Sequence, residues 1–212
     1  MKNIITSKSF NSILLLTIIG EFFLPWILRR YYDGYNSKTM AMSALGSPQS
    51  PVRVIYNTWL LWLGGFLTFV AITYFLTTRT DFPILSVLLL ISMGTFAVGA
   101  GLTSGIFHVN ENKEIVTTAS KIHGIGAAIG FMALLFLPLL NGILAFKQDN
   151  IIFGVVCVIS FILALSFFIC FIIGDKEQFQ NTMLGYEGVW ERLTLLCMYI
   201  PLVYKAVYNL LS

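Results

Sequence analysis

Residues 151–173 read IIFGVVCVISFILALSFFICFII, 23 consecutive positions without a charge and apolar on every side of a helix. About 20 such residues cross the hydrocarbon core of a bilayer as a helix. A helix satisfies each backbone group inside its own segment, which a medium without water demands. A membrane β-barrel needs short segments of alternating polarity, and a run that is apolar throughout does not supply them. Five further runs share this character: residues 10–28, 54–77, 83–107, 122–146 and 190–211. The expected fold is all-α: a polytopic membrane protein whose residues 1–212 form a single transmembrane domain, a six-transmembrane-helix bundle. An even number of crossings puts both termini on one side.

Composition points the same way. Hydrophobic residues make up 57% of the chain and charged residues only 11%, whereas a soluble domain carries about 25% charged residues. So few charges cannot cover a water-facing surface, and the expected location is the cell membrane, multi-pass. The net charge of +3 is spread out, without the basic cluster that marks a nucleic-acid partner. Membrane lipids are the expected partners, with a homo-oligomer or a partner membrane protein left open. Cys157, Cys170 and Cys197 are odd in number and lie inside apolar runs, so they read as small packing residues rather than a disulfide framework.

Lys2 and Lys8 before the first run resemble the start of a secretory signal. Glu21 and Pro25 within the run, Arg29-Arg30 after it, and no small-residue cleavage site make it a retained helix instead. Pro25 has no N–H for the carbonyl of Glu21, so a kinked or opened turn is expected at the level of that acid. Counted on this topology, the side of the termini holds five lysines and arginines and the other side eight (Arg29, Arg30, Lys38, Arg53, Lys113, Lys121, Lys176, Arg192). Taken alone, the positive-inside rule would put the termini outside. Several of the eight sit among candidate site residues, so the count assigns no orientation.

The first, third and fifth loops share one face. It collects Ser43, Asn57, His108, His123, Glu187, Glu191 and Arg192 besides the first-loop tyrosines and arginines. Glu21 lies about 12 Å below Arg29 at 1.5 Å per residue. The opposite face has only short turns. An acid within a membrane helix faces a cavity or a partner; for Glu21 the structural alternative is an ion pair with Arg192 or an arginine of the first loop. Arg192 itself either grips a phosphate or carboxylate or snorkels to water. His123 opens the fourth run and reads as a proton carrier, a metal ligand or a hydrogen-bonding cap. Behind it Gly126 and Gly130 recur four apart, and Ala97, Gly101 and Gly105 on the third run form the stripe expected to mate with them.

Other chemistry is weakly represented. Two histidines fifteen apart fall short of the three or four ligands of a zinc site, so no metal site and no cofactor is expected. His108, His123 and an acid such as Glu21 or Glu187 form the one set that would reach three. Ser43 and His123 share this face as a candidate nucleophile and base, though serines are common in such loops. The glycine-rich pieces lie inside apolar runs and cradle no phosphate.

Several segments resemble a known family when taken in order. They are Met42-Ser43-Ala44-Leu45-Gly46 with Ser50-Pro51-Val52 and Tyr56-Asn57, then Ser104-Gly105-Ile106-Phe107, Ile122-His123-Gly124, and Gly188-Val189-Trp190-Glu191-Arg192. Their placement resembles the bacterial six-span proteins grouped as domain of unknown function 998. More distantly it resembles the eukaryotic six-span family that includes autophagy modulators and a factor of GPI-anchor lipid remodelling. The resemblance implies six helices and a shared polar face of Ser43, Gly46, Asn57, His123, Glu191 and Arg192, and it brings no established activity. Phe107-His108 departs from the Phe-Pro of relatives. Membrane metal-hydrolases related to alkaline ceramidases use several histidines and an acid on seven helices, and this chain lacks a second histidine pair.

The leading functional expectation is a protein that binds a lipid or amphiphile in a polar pocket lined by Glu21, Ser43, Asn57, His123, Glu191 and Arg192. One alternative is a membrane enzyme acting on a lipid head group with His123 as general base. Another is a proton-coupled transporter or accessory subunit using Glu21.

Overall fold

A computed structural model describes residues 2–110 and 116–212. Lys113, counted above among the charges, lies outside the described residues. Among the described residues six helices are long and apolar enough to cross a membrane: α1 (Lys8–Leu28), α2 (Arg53–Thr78), α3 (Pro83–Ile106), α4 (Thr118–Lys147), α5 (Ile151–Gly174) and α6 (Glu187–Leu211). No strand occurs among the described residues. The chain is thus an all-helical, multi-pass membrane protein, as its apolar runs require.

The helix starts follow local chemistry. Ser7 caps α1, its hydroxyl accepting from the Phe10 amide at 3.3 Å. Pro83 sits in the first turn of α3, where its missing N–H costs nothing. At α4, Thr117 and Ser120 exchange side-chain to backbone hydrogen bonds at 3.1 and 2.9 Å, a reciprocal cap of the capping-box type. This cap starts α4 four residues before the apolar run and leaves His123 more than a turn inside the helix. α1 runs on through Pro25 to Leu28, so the missing N–H does not end it.

Consecutive helices pack side by side, and α6 closes the bundle by lying against α1, α4 and α5. The Asn209 side chain of α6 donates to the Ile5 carbonyl at 3.0 Å, which holds the two ends of the chain together on one side. At mid-bundle a file of rings crosses the interior: Phe22 of α1, Tyr199 of α6, Phe96 of α3, Phe131 of α4 and Phe171 of α5, with centroids 5.6–6.4 Å apart. These separations fall in the range where aromatic pairs attract beyond their buried area.

The small-residue stripe of α3 does not face α4 as expected. Gly101 lies against Gly64 of α2, and Gly105 against Leu61 and Asn57 of the same helix. The neighbours of Gly126 and Gly130 are instead Gly99, Ala100, Thr103 and Phe96. The reason is a π-helical turn over Ala97–Thr103, which widens the helix and breaks the four-residue register of the glycines. α3 therefore presents one small-residue face to α2 and another to α4.

Candidate functional site

The loop between α1 and α2 lies as a strap over one end of the bundle, and the first turns of α6 hold it there. The Glu191 carboxylate accepts from the Met42 amide at 2.6 Å, and the Val189 amide donates to the Lys38 carbonyl at 3.2 Å. Arg192 donates from Nη1 to the Ser37 carbonyl at 3.0 Å and to the carbonyl of Gly188, and from Nη2 to the Tyr35 hydroxyl at 2.7 Å. The Tyr35 hydroxyl in turn donates to the Ala41 carbonyl at 3.4 Å. Burial pushes the Tyr35 phenol up to about 12 although the Arg192 guanidinium beside it pulls the other way. The phenol therefore stays protonated and keeps both bonds throughout the neutral range. Gly188 is obligatory at the crossing, because a Cβ there would collide with the carbonyl oxygens of Met40 and Ser37.

Beneath the strap lies a cavity of about 820 Å³, within the usual range of small-molecule sites. Strap residues Thr39–Ala44 form its roof. Its polar lining includes Asn110, Ser120, Lys121 and Asp175, which are partly or fully exposed, and the buried Glu187 and Glu191. Deeper, the wall becomes apolar: Leu60 and Leu63 of α2, Phe96 and Ala100 of α3, Phe131 and Met132 of α4, and Phe168 of α5. From Ser120 to Met132 along α4 is about 18 Å at 1.5 Å per residue, roughly half the thickness of a hydrocarbon core.

Two polar groups stand at the boundary between these zones. Glu21 is 3% exposed, and its Oε2 accepts from the Trp59 indole at 2.8 Å. The indole reaches it by lying over Gly20, where any side chain would occupy the space of the ring. Glu21 is thus held by an indole, while the arginine expected to pair with it braces the strap. His123 is 6% exposed, and its Nδ1 donates at 2.8 Å to the Phe107 carbonyl, just past the end of α3. A carbonyl can only accept, so the proton of the neutral ring sits on Nδ1 and Nε2 keeps the lone pair.

A family model described as protein of unknown function (DUF998) matches residues 18–208, from mid-α1 almost to the end of α6. The chain belongs to the DUF998 family. No curated protein and no solved structure matches it.

In this DUF998 protein Glu21, Ser43, His123 and Glu191 come from four different parts of the chain and line one cavity. Asn57 and Arg192 are not among its lining residues. Asn57 lies beside the strap at Gly46, with its Nδ2 3.4 Å from that carbonyl and its buried Oδ1 without a hydrogen-bond partner among the described residues. His108 is half-buried and also absent from the wall. Tyr56, Phe96 and the strap backbone were missed as cavity residues by sequence reading. For Tyr56 the adjoining Asn57 was the available signal; for the strap backbone no local pattern exists. Among the described residues no group of three or more His, Cys, Asp or Glu is arranged to hold a metal ion.

Proposed function

We propose that this protein binds a single lipid or related amphiphile, with the head group under the strap and the apolar chain in the lower half of the cavity. The observation that carries this reading is the polarity gradient within one cavity: carboxyls, a lysine, an amide, hydroxyls and an imidazole towards the strap, and aliphatic and aromatic side chains below. The same gradient runs from head group to tail in a membrane lipid. Met132 and Ile172 line the cavity and are also 48% and 52% exposed on the bundle. The apolar half therefore adjoins the surface that bilayer chains would cover.

The test is native mass spectrometry of the purified protein. Wild-type protein retains a lipid adduct, and Ala127→Trp, which fills the apolar half, lowers its occupancy by about tenfold or more, a difference near 1.4 kcal/mol. Unchanged adducts in Ala127→Trp would remove the cavity from consideration.

A second reading has one observation in its favour. The Phe107 carbonyl holds His123 in the tautomer a general base needs, with Nε2 free of its proton. An enzyme of this kind releases product from a labelled lipid extract and loses turnover in His123→Ala while its lipid adduct persists. Equal turnover in His123→Ala would eliminate the histidine as the base.

A further inference from the structure

The cavity reaches the outside in two places, and the exposure of its lining residues locates both. At the strap end, Thr39 of the roof and Lys121 of the first turn of α4 are exposed. Along the helices, every lining residue contributed by α1, α2, α3 and α6 is buried. α4 and α5 differ. Gly124, Ala128 and Met132 of α4 and Ile172 of α5 line the cavity and are also exposed on the bundle. The three α4 residues recur four apart, so they form one stripe about 12 Å long at 1.5 Å per residue. Ala128, Met132 and Ile172 lie within the apolar runs 122–146 and 151–173, so this second opening faces hydrocarbon rather than water. Its α4 rim is small: a Cβ on Gly124 meets nothing within 4 Å. At the far end of the same helix pair a Cβ on Gly142 would stand 3.4 Å from the Gly154 carbonyl oxygen. α4 and α5 thus pack tightly near the termini and leave a slit towards the strap.

We propose that the slit between α4 and α5 is a lateral portal, through which a lipid of the strap-side leaflet slides an acyl chain into the cavity directly from the bilayer. This inference rests on the amphiphile-binding reading and adds the source of the amphiphile and its route. A chain that enters sideways stays in hydrocarbon throughout. One that enters beneath the strap must first leave the bilayer for water, a cost that grows with every CH2 exposed. The cavity is also about one leaflet deep, so a lipid moving sideways keeps its level while its head group passes into the polar half.

In the experiment the full chain carrying its co-purified lipid adduct is diluted into lipid-free dodecyl maltoside micelles, and the surviving adduct is followed with time by native mass spectrometry. Ala128→Trp and Gly124→Leu put bulk on the rim of the slit and are expected to lengthen the half-time of release about tenfold. Both positions are exposed, so neither variant disturbs packing inside the bundle. Two controls release the adduct as wild type does: Ile129→Trp, at an exposed α4 position that does not line the cavity, and Thr39→Trp, on the strap roof. Wild-type release from both rim variants overturns the portal while leaving amphiphile binding intact. So does equal slowing by Ile129→Trp, and so does slowing by Thr39→Trp alone, which would assign the route to the opening beneath the strap. A wild-type protein that carries no adduct overturns the portal and the amphiphile-binding reading together.

Discussion

Gly64→Ala lowers the stability of the bundle by about 2–3 kcal/mol, whereas Gly65→Ala, one position along the same helix, leaves it unchanged or slightly raised. A Cβ on Gly64 would stand 2.6 Å from the Ala97 carbonyl oxygen and 2.6 Å from the Leu102 amide nitrogen, both backbone atoms of the π-helical turn in α3. No rotamer change relieves that contact, so α2 and α3 must part along their length. On Gly65 a Cβ meets nothing within 4 Å. The two variants add the same methyl to neighbouring positions, which cancels helix propensity from the comparison. Thermal unfolding in one detergent, followed by helical circular dichroism, reads the difference. Equal melting of the two variants would mean that α2 and α3 do not touch at Gly64.

Arg192→Ala frees the strap. The guanidinium reaches Ser37, Gly188 and Tyr35 at once. Removing it strands these acceptors over the cavity, at a cost of about 3 kcal/mol for bonds made by a charged donor. Arg192→Lys recovers only part of this, because an ammonium lacks the planar fork that spans separate acceptors. The expected result is faster limited proteolysis within residues 36–52 and weaker retention of any cavity lipid. These two readouts separate a brace from a ligand contact. If Arg192 instead grips the head group, lipid is lost while the strap stays as protected as in wild type. Gly188→Ala acts on the same crossing from the other side, since its methyl would displace the strap backbone.

How much of this was legible beforehand differs by level. The six crossings were, because a segment that must bury 20 residues in hydrocarbon declares itself by composition, and no tertiary contact can reverse that cost. The grouping of polar residues at one end followed from counting crossings; of the six residues it singled out, Glu21, Ser43, His123 and Glu191 line one cavity, whereas Asn57 and Arg192 do not. The start of α4 was misjudged by four residues. Its cap is made by Thr117 and Ser120, polar residues outside the apolar run that marked the helix.

The amino-acid sequence by itself determined that the chain crosses a membrane six times and which end of the bundle gathers its polar residues. Hydrophobic length and the parity of crossings are properties of one dimension. Only the tertiary structure decided which of those groups face the cavity and which hold it closed. It assigned Glu21 to an indole rather than to Arg192, and Arg192 to the strap. It also turned the α3 glycines towards α2, because side-chain direction depends on helix rotation and a single π-helical turn resets it.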